Sequence, residues 1–386
     1  MPTTIASALL PRADGAHAFE EAAARAAADL GGAAVDLAVV FAGEAGLQDV
    51  EAGAAAVRER LGAHALVGCS AQGVVGGGRE IEEGGGVAVW AASLPGGSAE
   101  AFHLEASMAS PGTLAVTGLP DLDEADAVIL LVDPYTFPVE PLLARIGVDH
   151  PGLPVLGGLA AGGGPGRGML VRDGEVARRG AVGVALRGVD VRCCVSQGAR
   201  PIGPEMVITA AEGNVVQELA SRPALERLTT AIEELDMEER LLVVRGLLLG
   251  VVIDENQPDY QRGDFLVRGL LGVDEETGAI TVGERVRVGQ TVRMHVRDGR
   301  SADEDLRRAL EAQLRELREP PAGALLFTCN GRGSQMFDAP DHDASAISRA
   351  FSGAPAAGFF CAGEIGPVGG RNFLHGFTAT VAVFPS

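Results

Sequence analysis

The chain contains no lysine: all 31 of its basic residues are arginine. That absence excludes a Schiff-base lysine for pyridoxal phosphate or a carbonyl substrate, a P-loop lysine on a phosphate, and a kinase lysine paired with ATP. The five cysteines, Cys69, Cys193, Cys194, Cys329 and Cys361, form no CxxC pair. Neither a zinc knuckle nor a disulfide framework is therefore expected. No cofactor is implied, and free thiols suit a cytoplasmic, reducing location. His64, His103, His150 and His295 stand alone, with no HxxxH or HExxH pair. The longest apolar run, LLVVRGLLLGVVI, is broken by Arg245 and is too short to span a bilayer. The opening residues, MPTTIASALLPRADG, lack the basic start and sustained apolar core of a signal peptide. A net charge of −21 with scattered basic residues argues against a nucleic-acid footprint or an anionic membrane surface.

What is present is a threefold repeat in a chain of 386 residues, long enough for two or three cores. The copies cover roughly 33–94, 125–187 and 322–384. Each reads as a strand, a helix, a short strand entering a glycine-rich loop, and a closing strand. AVVF, VILLV and LLF are short apolar runs bounded by turn residues, as buried strands are. Leu47, Val50, Val57 and Leu61 make an apolar stripe near helical period in the first copy. Glycines recur at one place in each copy, around Gly73, Gly162 and Gly366, which points to turn geometry before ligand contact.

The expected fold class is α/β in the mixed α+β sense: three β-α-β-β-like repeats forming central sheets with helices outside, plus a hairpin-rich insert. The expected domains are a lead-in over 1–32, an N-terminal domain over 33–190, and a C-terminal domain over 191–386. The last divides into a hairpin-rich part, 191–321, and the third repeat. Within 191–321, MVITAAEGNVVQEL and ITVGERVRVGQTVRMHVRD read as hairpins. PALERLTTAIEEL and SADEDLRRALEAQLREL read as helices, the second with a capping box of Ser301 and Glu304.

The third copy carries the most chemistry. Its first strand ends in CNGRGSQMF, and its second in CAGEIGPVGGRN. Asn330, Arg332, Glu364, Arg371 and Asn372 therefore sit at strand ends, where α/β proteins place ligand sites. Arginine forks suit a carboxylate and Glu364 suits an ammonium group, so the set fits an amino acid or similar zwitterion. The competing reading is a Glu–Arg pair that closes the loop, and residue types alone leave both open. Cys361 or Cys329 could serve as a catalytic nucleophile, with His375 or Glu364 assisting. A buried strand-end residue is the more ordinary role for a cysteine. Asp341, His342 and Asp343 are consecutive on a turn, which favours helix capping over a metal site. Asp264 and Arg268 could form a salt bridge or join the ligand site, and the structural pair is the more ordinary role.

CNGRGSQMF, AGFFCAGEIGPVGGRNFLHGFTATVAVF, SQGARPIGP and GDFLVRGLLGVDEETGAITVGERVRVGQTVRMHVRD together resemble the FIST family. The N-terminal part of that family resembles 33–187, including LVGCSAQGVV, and its C-terminal part resembles 201–386. The resemblance implies a signal-transduction domain that senses small ligands such as amino acids; related sequences follow an F-box in eukaryotic ubiquitin-ligase subunits. No F-box precedes 33 and no kinase, cyclase or methyl-accepting output segment is recognisable. The expected output is therefore a partner protein bound in trans, or an adaptor role.

Overall fold

The computed structural model describes residues 2–11, 15–43, 50–110, 113–160 and 162–386. The chain divides into two compact units. The first comprises 1–195, 306–374 and 379–386, and the second 196–305 and 375–378.

The three repeats make the first unit. Each copy forms a core of three strands. Leu37–Ala42 lies between Gly86–Ser93 and Ala65–Ser70, and Ala127–Val132 between Ala181–Arg187 and Val155–Leu159. Gly323–Cys329 lies between Thr378–Phe384 and Ala356–Cys361. In every copy the first and second strands run parallel and the closing strand antiparallel. Helices Val50–Leu61, Val139–Asp149 and His342–Ala350 make the parallel crossovers. Leu47 of the expected stripe lies outside the described residues, while Val50, Val57 and Leu61 are buried.

The strand runs also explain the burial. Alternate residues face a shared inner core that gathers Val39, Phe41 and Trp90 of the first copy, Ile129 and Val184 of the second, and Leu325, Phe359 and Phe384 of the third. Phe359 stacks on Phe41 at 5.1 Å and meets Phe327 edge-on at 5.9 Å. The intervening residues face outward to the helices in a separate cluster for each copy. Buried on both faces, these strands read as continuous apolar runs.

Each copy gives its glycine-rich hairpin to another. Val74–Gly76 and Arg79–Ile81 of the first copy extend the sheet of the third. Leu170–Arg172 and Glu175–Ala177 of the second extend the first. Glu364–Val368 and Arg371–His375 of the third extend the second. The exchange is cyclic, and a glycine stands at each crossing. Gly68, Gly157 and Gly358 pair with Val40, Leu130 and Leu326. A Cβ at any of the three would strike the carbonyl oxygen of that partner. Glycine here permits close approach of two strand backbones.

The described residues of 1–32 form a strand and a helix. Thr4–Pro11 pairs antiparallel with Gly86–Ser93, and helix Gly15–Asp29 buries Phe19, Ala22 and Ala26 against the outer face of that sheet. Alanine-rich faces let that helix lie close to the strands.

The second unit is a barrel-like antiparallel sheet. Its order is Ala199–Glu212, Thr291–Arg297, Leu247–Val252, Phe265–Asp274, Ala279–Val282 and Val215–Leu219, and Val215–Leu219 pairs back onto Ala199–Glu212. The hairpin expected at Gly213 forms, and helix Ala224–Glu233 matches its segment. The second expected hairpin does not form. Ala279–Val282 pairs with Val215–Leu219 and Phe265–Asp274, while Thr291–Arg297 pairs with Ala199–Glu212 and Leu247–Val252. The long apolar run divides at Gly246, whose φ of +147° ends helix Met237–Arg245 and lets strand Leu247–Val252 begin. Helix Gly299–Glu316 starts ahead of Ser301, so the capping box is displaced: the Ser301 hydroxyl donates to Asp298 at 2.6 Å. Asp264 accepts from the Gln261 backbone and Arg268 pairs with Glu284 at 2.7 Å, so the expected pair between them is replaced.

Candidate functional site

The parallel register sets Cys329 opposite Cys361, so the loops that follow the two strands leave one sheet edge together. The Asn330 amide donates to the Cys361 carbonyl at 2.8 Å and ties the loops. Between strand and helix the first loop folds back on itself. Arg332, fully buried, sends a fork into Asp343: Nε to Oδ2 at 2.7 Å and Nη2 to Oδ1 at 2.8 Å. The Thr328 hydroxyl donates to Asp343 at 2.7 Å, and the His342 imidazole sits 2.9 Å from its other oxygen. Phe337 stacks on His342, and the guanidinium carbon of Arg332 lies 5.2 Å from the Phe337 ring centre.

Burial works to raise the Asp343 carboxyl, but the Arg332 charge and the hydrogen bonds from Arg332, His342 and Thr328 hold it well below the ordinary range. Burial works against the Arg332 charge too. Asp343 outweighs that penalty, and Cys329 and Glu364 add to the raised basicity. Asp343 was expected to cap the helix and instead turns into the core. Asp341 occupies the cap position in a left-handed conformation with φ of +59° and makes no side-chain cap bond.

Superposing the copies by strand register and helix phase shows what is unusual. Thr328 occupies the position of Ala42 and Val132 on the first strand. Asp343 occupies that of Val50 and Val139, the first buried helix position. Glu364, fully buried, occupies that of Val74 and Leu170, the first residue of the exchanged hairpin strand. Two of these three replacements bury a carboxyl, which is costly unless it is paired. Glu364 faces Gly158 across the strands, and the room beside that glycine is taken by the Cys361 thiol.

The first copy's hairpin completes the surroundings. Glu82 accepts from the Ser334 amide at 2.9 Å and from its hydroxyl at 2.6 Å, held close because Gly333 has φ of +60° and no side chain. Glu80 accepts from the Ala344 amide at 2.9 Å, and the Glu80 amide donates to Asp341 at 2.6 Å.

The five expected ligand residues divide. The Asn330 backbone is tied to Cys361, and Glu364 is near enough to Arg332 to add to its basicity. Arg371 and Asn372 open the second strand of the exchanged hairpin, beyond the Gly369–Gly370 turn and away from Glu364. The Arg371 guanidinium is exposed and lies 5.2 Å from the Phe373 ring centre. Asn372 braces the second copy, accepting from Val155 N at 2.9 Å and donating to Leu153 O at 2.8 Å. Cys329 and Cys361 are buried. Burial pushes the Cys361 thiol well up, and Glu364, Cys69 and Cys329 push it further, opposite to the shift a thiolate nucleophile needs. Among the described residues no group of three or more His, Cys, Asp or Glu converges on a metal position. No helix among them is long and apolar enough to cross a membrane.

The FIST N domain matches residues 36–222 and the FIST C domain matches 224–367. An uncharacterized protein of Mycobacterium tuberculosis (strain ATCC 25618 / H37Rv) is 47% identical over 369 residues, covering 95% of this chain and 96% of the relative. An uncharacterized protein of Mycobacterium bovis (strain ATCC BAA-935 / AF2122/97) is 45% identical over 372 residues, covering 96% of each. With both domain matches in sequence order and similarity along its whole length, the chain belongs to the FIST family, whose domains are associated with sensory function in signal transduction.

Proposed function

We propose that the protein senses a small carboxylate-bearing zwitterion, of the amino-acid class, at Asn330, Arg332 and Glu364, and signals through a partner protein in trans. One observation carries the reading. Arg332 is fully buried with two of its nitrogens committed to Asp343, while Nη1 has no hydrogen-bond partner among the described residues. A buried guanidinium donor left unmatched costs about 1–3 kcal/mol or more, so a ligand oxygen there gains more than it would at a surface arginine. The Asn330 Oδ1 atom is likewise buried without a donor. Glu364 supplies the negative charge for an ammonium group. Arg371 and Asn372 leave the proposed site, since their side chains are engaged elsewhere. The uncrosslinked cysteines fit a reducing cytoplasm.

The test is a thermal-shift screen of L-amino acids and related zwitterions. A ligand at about 100 times its Kd adds about 2.7 kcal/mol to the folded state. Asn330→Ala and Glu364→Gln are expected to remove the shift, and Arg371→Ala to keep it. Full binding by the first two variants, or its loss in the third, overturns the site.

A further inference from the structure

We infer that Glu80 is a proton-operated latch: its protonated carboxyl fastens the first copy's hairpin to the Arg332 loop, and its ionisation releases that loop. The latch regulates the site proposed above and rests on that reading only for its consequence, not for its operation.

The geometry places two carboxyls, Glu80 and Asp343, at the first turn of helix His342–Ala350, with one guanidinium between strand and helix to serve them. Asp343 takes both arms of the Arg332 fork, together with Thr328 and His342. Glu80 has one oxygen on the Ala344 amide, and its Oε2 is buried with no hydrogen-bond partner among the described residues. A carboxyl oxygen shut away from donors and beside a fixed carboxylate is most stable carrying the proton. On its own hairpin Glu82 is held on Ser334 and adds to the rise, while Arg79 is exposed. From the third copy, Asp341 accepts from the Glu80 amide, His342 is turned to Asp343, and Arg332 is already engaged. Arg349 of the same helix is exposed. Burial and the Asp343 charge raise the Glu80 carboxyl to about 7, against the opposing hydrogen bonds from the Ala344 and Asp343 backbone.

The sign follows. A carboxyl whose folded value lies above its unfolded one favours folding less as pH rises from the unfolded value, and the loss is complete above about 7. The contact is closed on the acid side of neutrality and loosened on the alkaline side. A ligand carboxylate arriving at Arg332 adds negative charge near Glu80, so binding takes up a proton and closes the latch further.

Hydrogen exchange across 330–344 tests this without any ligand. At about pH 8.5 the wild-type segment is expected to exchange about tenfold faster than at about pH 6, after correction for intrinsic rates. Glu80→Gln, which keeps the acceptor and cannot ionise, is expected to stay protected at both. Equal wild-type protection at the two pH values, or the same pH response in Glu80→Gln, overturns the latch. Should that variant fail to fold, a carboxyl NMR titration of the wild type decides. A Glu80 midpoint near 7 supports the latch, and one below about 5 overturns it. A failed zwitterion screen leaves these outcomes untouched, and a failed latch leaves the Arg332 site standing.

Discussion

Replacing Asp343 with valine copies the residue found at the same helix position in the other two repeats, Val50 and Val139. The change roughly keeps the side-chain size but removes the acceptor for Arg332, Thr328 and His342. Arg332 then remains fully buried with no counter-charge from that helix. Breaking a buried pair by deleting one partner costs about 3–5 kcal/mol, because the remaining ion cannot recover its hydration. Arg332→Met alone leaves Asp343 with only Thr328 and His342 and is expected to cost about 3 kcal/mol for the same reason. The double variant removes both charges and puts at 343 the valine that the other two copies carry there, and should lie within about 1–2 kcal/mol of wild type or above it. The cycle therefore predicts a coupling energy of about 4 kcal/mol or more. Denaturant titration followed by Trp90 fluorescence measures it: Trp90 is the chain's single tryptophan and lies in the inner core of the first unit. An Asp343→Val cost below about 1 kcal/mol, or additive single effects, would refute the argument. A double variant as stable as wild type that no longer binds zwitterions would show the charges to be retained for binding.

Gly358→Ala is expected to destabilise the first unit by about 3 kcal/mol, near the top of the overpacking range, because its Cβ would meet the Leu326 carbonyl oxygen; a neutral result by denaturant titration would sink the close-approach account. In the second unit, burial lowers His295 from 6.5 to about 4 despite the hydrogen bond to the Arg293 carbonyl, with the Arg293 and Arg262 charges assisting. A depressed histidine contributes fully above its unfolded value and loses that contribution as pH falls. At about 1.4 kcal/mol per unit the loss is about 3 kcal/mol between 6.5 and 4. Hydrogen exchange of strand Thr291–Arg297 should therefore accelerate from neutral pH to about pH 4 beyond its intrinsic change, and unchanged protection would contradict the assignment. Burial also predicts that iodoacetamide at neutral pH leaves Cys69 and Cys361 unmodified in the native protein and labels them after unfolding; rapid native labelling would reopen the nucleophile reading.

Much of the architecture was legible because it rests on local rules. Apolar runs such as VILLV marked strands buried on both faces, and the threefold pattern named the copies. The mixed α+β class with helices outside follows from them. Asn330, Arg332 and Glu364 stood out as polar residues at strand ends. Thr328 and Asp343 were within reach as well: aligning the three copies residue by residue sets them against Ala42, Val132, Val50 and Val139. Read locally, Asp343 suggests a cap, because acids shortly after a proline so often start helices.

Other features depended on long-range pairing. The segment 1–32 becomes an edge strand and helix only through its partner, Gly86–Ser93. Arg371 and Asn372 follow Glu364 in sequence yet leave it in space, because a hairpin carries the chain away from its own start. Glu80 and Glu82 stand more than 250 positions before the residues they hold, Ala344 and Ser334. Sequence alone marked the buried strands and crossover helices of the three copies, since backbone preference and apolar period act between near neighbours. Only the tertiary structure decided which copy receives each hairpin, and so which charges meet around Arg332. The hydrogen bonds of a sheet edge carry no residue identity, and the choice among three similar edges is made by packing across the whole unit.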